Sequence, residues 1–177
     1  MRRKDKAMPD DDMLGEIAET GIPLLASEGY AQYEVSAYAR HDRRCRHNLN
    51  YWQFGDYIGI GAGAHGKLTV PGEGVVRRRK ERHPRRYMET ASAGKALSGE
   101  NRLQDDDLLM EFMLNSLRLN EGVPAAWFEH RTGLALAAIG QRLALARNQG
   151  LIEEDESIIR PTQAGRQYLN DLLLLFS

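Results

Sequence analysis

The sequence predicts an α/β fold of mixed α+β type, with a helix-and-strand segment followed by a winged-helix-like helical domain. Three observations predict it. Residues 1–75 run helix, strand, polar loop and short apolar strand, an order that suits part of an α/β sheet. After Asp105 the pattern becomes amphipathic helices interrupted by one acidic hairpin. The charge changes at the same place: residues 105–177 carry 11 acidic and 6 basic residues (net −5), residues 1–104 carry 14 and 18 (net +4), together the −1 of the whole chain. The run Gln104-Asp105-Asp106-Asp107 is therefore read as a domain boundary. Residues 76–104 are a basic linker or helix between the segment 1–75 and the domain 105–177.

Residues 1–9 read as a frayed start. Asp10, Asp11 and Asp12 then offer an N-cap and negative charge to a helix whose apolar stripe is Met13, Ile17, Leu24 and Leu25. Pro23 kinks that helix or marks a second start, and Gly29 closes it. Tyr33–Tyr38 alternates and is rich in aromatic and β-branched types, so it reads as a strand. His41–Arg46 is a polar stretch, and Tyr57–Ile60 is a short apolar run leading into glycines. Residues 71–87 are polar and very basic. Asp105–Leu119 is a strong amphipathic helix with Leu109, Phe112, Met113 and Leu117 on one face. Pro124 suits the first turn of a short helix ending near Gly133. Leu134–Gln149 is a third helix, closed by Gly150. Leu151–Glu154 and Ser157–Arg160 form a hairpin with an acidic turn, and Thr162 caps a last helix reaching Phe176. Three helices, a hairpin and a final helix is the order of a winged-helix fold.

Composition bounds the function. A chain of 177 residues holds one generous domain or two small ones, and 42 % hydrophobic with 28 % charged residues is ordinary for a globular protein. The net charge argues neither for a nucleic-acid binder nor for an acidic tail. With one cysteine, Cys45, the chain can form no internal disulfide, four-cysteine zinc site or self-contained iron–sulfur site. The basic opening has no apolar stretch behind it and is not a secretory signal. The longest aliphatic run, Leu172–Leu175, is far too short to span a membrane. A cytoplasmic protein without stable membrane insertion is expected.

Four segments can carry chemistry. Cys45-Arg46-His47-Asn48-Leu49-Asn50-Tyr51-Trp52 packs a thiol, an imidazole, amides and aromatics into eight residues. Imidazole is an axial haem ligand, flat aromatics wall a macrocycle, and Arg46 can pair with a propionate. The plainer alternative is a loop whose aromatics pack on the core. Gly59-Ile60-Gly61-Ala62-Gly63-Ala64-His65-Gly66 brings backbone close to a ligand, or is a tight turn at a sheet edge; it does not fit the dinucleotide-binding pattern. The basic run Arg77–Arg86 can hold phosphate or carboxylates, or is a solvated linker or helix face. The winged-helix order admits DNA binding, but Glu153, Glu154, Asp155 and Glu156 make its wing acidic, which favours a structural or protein-contact role.

Three stretches carry a resemblance: Tyr33–Ala39 (YEVSAYA), Cys45–Trp52 (CRHNLNYW) and Asp56–His65 (DYIGIGAGAH). They resemble the HemW family, whose members are described as oxygen-independent coproporphyrinogen III oxidase-like, and Ala164–Leu172 resembles that family's last helix. The likeness runs from about Pro9 to Phe176. It implies the last strands of a radical-SAM partial (β/α) barrel followed by a C-terminal helical domain. In the whole protein it implies a 4Fe-4S cluster and S-adenosylmethionine. It also implies haem binding at the HNxxYW motif, matched by His47, Asn48, Tyr51 and Trp52, with His47 on the iron. Gly61, Gly63, Ala64 and His65 would lie near S-adenosylmethionine. The family's CxxxCxxC motif is missing, so this chain by itself performs no radical chemistry, and its open sheet edge is expected to belong to a shortened chain or to pair with a second copy.

The expectation is thus a C-terminal fragment that binds haem or porphyrin and takes part in handing haem to respiratory enzymes, with no nucleic-acid partner. One alternative is an oxygen-independent coproporphyrinogen III oxidase as the full-length protein. The other is a non-enzymatic winged-helix interaction module.

Overall fold

Asp10 starts the first element by accepting a hydrogen bond from the Met13 amide, which caps α1 (Asp11–Ser27) as the acidic run leads one to expect. The structure, a computed structural model, describes residues 9–177, so the frayed start falls outside the described residues except at Pro9. The chain divides into two compact units, Met1–Cys45 and Arg46–Ser177.

In the first unit Pro23 is accommodated inside α1, and Gly29 follows the helix with φ +80°. Met13, Leu14, Ile17, Leu24 and Leu25 are exposed. The stretch expected as one strand is instead a hairpin. Strands β1 (Ala31–Glu34) and β2 (Ala37–Ala39) pair antiparallel around a turn at Val35 and Ser36. Side chains stabilise the reversal: Ser36 Oγ donates to Glu34 Oε1 (3.1 Å) and Gln32 Nε2 to the Val35 carbonyl (2.9 Å). Alternation alone hides such a turn, because Val and Ser fit either conformation.

The second unit opens with α2 (Arg46–Trp52), so the HNxxYW residues sit on a helix. The apolar run Tyr57–Ile60 forms no regular strand; only Tyr57 bridges, antiparallel, to Lys67, and Ile58 and Ile60 are exposed. The basic stretch then folds into sheet. Strands β3 (His65–Val70), β4 (Gly74–Lys80) and β5 (Leu97–Arg102) form an antiparallel meander, with α3 (Pro84–Ser92) inserted between β4 and β5. Gly72 and Gly74 take positive φ at the β3–β4 turn, a conformation other residues adopt at a cost. Val75 and Val76 are buried, and the arginines that follow alternate across the two sheet faces.

The helical part begins with α4 (Asp105–Ser116), which carries Asp105, Asp106 and Asp107 in its first turn, where negative charge meets the positive end of the helix. It buries Leu108, Leu109, Phe112, Met113 and Ser116. Pro124 does not start a helix. It lies in β6 (Val123–Pro124), which pairs with β7 (Ile158–Ile159), and α5 (Ala126–Thr132) begins two residues later. A proline without its N–H is tolerated in so short a ladder because its carbonyl remains usable. Then α6 (Ala137–Asn148) buries Ile139, Leu143 and Ala146. The Glu153 amide donates to the Arg160 carbonyl, so the expected acidic hairpin closes beside β6. The last helix is two pieces, α7 (Gln163–Gln167) and α8 (Leu169–Leu174), broken at Tyr168. Thr162 caps α7 by accepting from the Gly165 amide. Gly165 must be glycine, since a Cβ there would run into the Leu151 carbonyl.

One hydrophobic core unites this unit. Its spine is aromatic: Phe54, Phe112 and Phe128 meet edge to face at 5.7 Å and 5.3 Å between centroids. Leu172 and Phe176 are buried in the same core. Among the described residues no helix is long and apolar enough to cross a membrane. The mixed helix and sheet content agrees with the predicted class, and every pairing between named strands is antiparallel.

Candidate functional site

Helical spacing decides which way each motif residue faces. On α2, His47 and Tyr51 stand four apart and share a face, with ring centroids 4.8 Å apart in an edge-on arrangement. Asn48 and Trp52 share a different one. His47 is exposed. Trp52 is half-buried against the core, the Arg118 guanidinium lies 4.3 Å from its ring centroid, and its Nε1 is buried without an acceptor among the described residues. The expected haem ligand and one aromatic therefore stand together, while the other aromatic anchors the helix.

The end of α2 is locked locally. Asn50 Nδ2 donates to the Asp56 carbonyl (2.9 Å), and the Gly55 amide donates to the Asn50 carbonyl (2.7 Å). A Cβ at Gly55 would collide with Asn50. Phe54, at φ +56°, turns its ring into the core. Lys67 completes this anchor. Its ammonium lies 3.7 Å from the Phe54 ring centroid, donates to the Phe54 carbonyl (2.9 Å) and stands 3.6 Å from Asp56. Burial pulls the Lys67 ammonium below its ordinary range, and Asp56 opposes that shift.

The face of His47 and Tyr51 continues into the sheet. The Tyr51 and Tyr57 rings are 4.3 Å apart. Arg77 Nη1 donates to the Tyr57 hydroxyl (3.4 Å), and Arg77 holds Glu111 of α4 with two bonds, Nε–Oε1 at 3.0 Å and Nη2–Oε2 at 2.5 Å. That carboxylate raises the Arg77 guanidinium further. Partial burial, and then Tyr57, raise the Tyr51 phenol above its ordinary value. The chain of contacts His47–Tyr51–Tyr57–Arg77–Glu111 thus braces an exposed imidazole against the helical core. Tyr57, Arg77 and Glu111 were not singled out from the sequence as partners of the motif. No local signal marked these pairings, because Val75 and Val76 are both buried and period two does not single out the face of Arg77.

The glycine segment lies next to the same strand. Gly59 and Gly66 are packed back to back: a Cβ on Gly59 would strike the His65 carbonyl, and one on Gly66 would press on the Tyr57 carbonyl. Gly61 and Gly63 take φ of +101° and +69°. The Gly63 amide donates to the Glu81 carbonyl (2.8 Å) and the Lys80 amide to the Ala64 carbonyl (2.9 Å), so the loop is pinned to the end of β4. His65 is exposed. Tyr57 links the two predicted groups, since it touches Tyr51 and lines a cleft of about 300 Å³ with Gly59, Ala64 and Gly66. Cys45 is exposed, and among the described residues no cluster of three or more His, Cys, Asp or Glu side chains could hold a metal ion.

Comparison with known proteins follows the same lines. The HemN C-terminal domain family matches residues 103–168. The Heme chaperone HemW of Haemophilus influenzae is 44 % identical over 169 residues, which cover 96 % of this chain and 43 % of that protein. Its Escherichia coli K12 counterpart is 45 % identical over 169 residues, 96 % of this chain and 44 % of that protein. The chain therefore spans less than half the length of these curated relatives. Among solved structures, the coproporphyrinogen III oxidase HemN of Escherichia coli, described as a radical SAM enzyme, aligns with a TM-score of 0.65 at 21 % identity, covering 98 % of this chain and 43 % of that one; this likeness concerns the fold. With a HemN C-terminal domain in its second half, a HemN-like fold and HemW relatives at 44 % and 45 % identity along nearly its full length, the chain belongs to the HemW-type family and corresponds to its C-terminal portion.

Proposed function

We propose that this chain is a haem-binding portion of a haem chaperone, with His47 as an axial ligand of the iron. The observation that carries the reading is the exposed His47 imidazole braced by Tyr51 and Tyr57. A haem needs one accessible ring nitrogen and a flat apolar wall beside it, and this face offers both. Asn48 would orient the ligand from the next face of α2, and Trp52 would hold the helix in place. The chaperone reading is preferred to the oxidase because the relatives at 44 % and 45 % identity are named haem chaperones.

The rest of the reading concerns the longer protein. There the 4Fe-4S cluster and S-adenosylmethionine would be bound, with Gly61, Gly63, Ala64 and His65 near the latter. One cysteine cannot ligate such a cluster, so the cluster is assigned to other parts of the protein. The stretch 76–104, expected as a basic linker or helix, is instead mostly β4, α3 and β5. Residues 1–75 would be the end of the radical-SAM barrel and 105–177 a winged-helix-like domain. The order α4, β6, α5, α6, hairpin, α7 supports that last assignment. Haem would pass to respiratory enzymes in the cytoplasm. The acidic turn at Glu153, Glu154, Asp155 and Glu156 speaks against nucleic acid, and an open strand edge is the surface for pairing with a second copy.

Haem titration of the purified chain tests the site. We expect saturable one-to-one binding with a shifted Soret band, and loss of that shift in His47→Ala. A His47→Ala spectrum indistinguishable from that of the parent chain would remove His47 from the iron.

A further inference from the structure

Within the run Arg77 to Arg82 the cations divide into two groups. Arg77 is neutralised by Glu111 and Arg78 by Glu100. Arg79, Lys80 and Arg82 face no carboxylate partner among the described residues. Arg79 and Arg82 line one hollow of about 590 Å³, together with Ala62, Gly63, His65, Lys80 and Ser98, while Lys80 also borders the cleft beside Arg78. Its construction is specific. The Arg79 guanidinium lies over Gly99, where a Cβ would come within 2.8 Å of it. The Arg82 stem runs past Gly63, whose φ of +69° and pinned amide fix the floor. His65 stands opposite Arg79 across the β3–β4 ladder.

Two uncompensated guanidinium groups beside one concavity repel one another, and an anion placed between them relieves that repulsion. Guanidinium groups hold planar oxyanions through paired N–H donors. We propose that this hollow is an anion-binding site, taking a phosphate or paired carboxylates of a small ligand between Arg79 and Arg82. It does not depend on the haem assignment, because none of its residues belongs to the HNxxYW motif, although Gly63 and His65 are shared with the segment set near S-adenosylmethionine.

Calorimetric titration of the 177-residue chain at low salt with sodium pyrophosphate and, separately, with glutarate tests the proposal. Saturable one-to-one binding is expected for at least one probe. Pyrophosphate alone would identify a phosphate-bearing ligand, and glutarate alone or with it a carboxylate-bearing one. The double variant Arg79→Gln/Arg82→Gln should weaken that binding at least tenfold with an unchanged melting profile. Arg85→Gln, on α3 and paired with Glu89 outside the hollow, should leave it unchanged. His47→Ala should also leave it unchanged, which keeps the result separate from the haem reading. Absence of saturable binding to both probes, or equal weakening by Arg85→Gln, overturns the proposal.

Discussion

Phe112 is the residue on which the second unit turns. It is fully buried and meets Phe54 on one side and Phe128 on the other. Truncating it removes both edge-to-face contacts and leaves a void that neighbouring helices fill only in part. Phe112→Ala should therefore lower unfolding stability by about 3–5 kcal/mol in urea denaturation; a loss under about 1 kcal/mol would mean the aromatic spine is not continuous. Residues in one short stretch are the most legible in a sequence. His47 and Tyr51 announce their pairing because four residues is one helical turn. Arg77 does not announce its pairings, because its partners Tyr57 and Glu111 stand 20 and 34 positions away. Nothing local distinguishes an arginine on a strand from one in a solvated linker until its carboxylate partner is in place.

Among the elements, those with strong amphipathic spacing or caps were legible: α1 by its acidic cap, α4 by its apolar face, and α7 by Thr162. Those made by long-range pairing were less so. Pro124 joins a two-residue ladder with Ile158 only because the hairpin folds back beside it, and the reversal at Val35 and Ser36 carries no glycine or proline to mark it. The sheet β3–β4–β5 was hidden in the same way, under a composition that reads as linker. Beside the burial of Val75 in the common core, the sheet is tied to the helical part by the Arg77–Glu111 pair between β4 and α4. Both side chains are about one-third exposed (34 % and 28 %), so water screens the attraction, while the two-bond geometry favours it. A double-mutant cycle with Arg77→Met and Glu111→Gln should give a coupling of about 1 kcal/mol, read from urea midpoints and reduced by added salt. Strict additivity would remove this pair from the contacts that hold the sheet to α4.

For the whole molecule, the decisive fact is where the apolar core lies. Every residue of the main core, from Phe54 to Phe176, belongs to the unit Arg46–Ser177. Among the described residues, the unit Met1–Cys45 buries few side chains, Tyr33, Glu34 and Ala39 among them, and exposes a row of large apolar residues along α1. Folding free energy follows buried apolar area, and a two-strand hairpin with one helix is short of what offsets chain entropy. The two units should therefore differ sharply in autonomy. A chain consisting of residues 46–177 should unfold in one cooperative transition, with a midpoint within about 3 °C of the complete chain, the shift that a fraction of a kcal/mol makes at this size. Residues 1–45 alone should show no cooperative transition by circular dichroism. A midpoint for 46–177 lowered by ten degrees or more would show that the first unit contributes to the core's stability. The same shortened chain keeps His47, Tyr51, Tyr57 and Arg77, so its haem spectrum should match that of the complete chain. A lost Soret shift with an unchanged melting midpoint would place part of the haem site in the first unit.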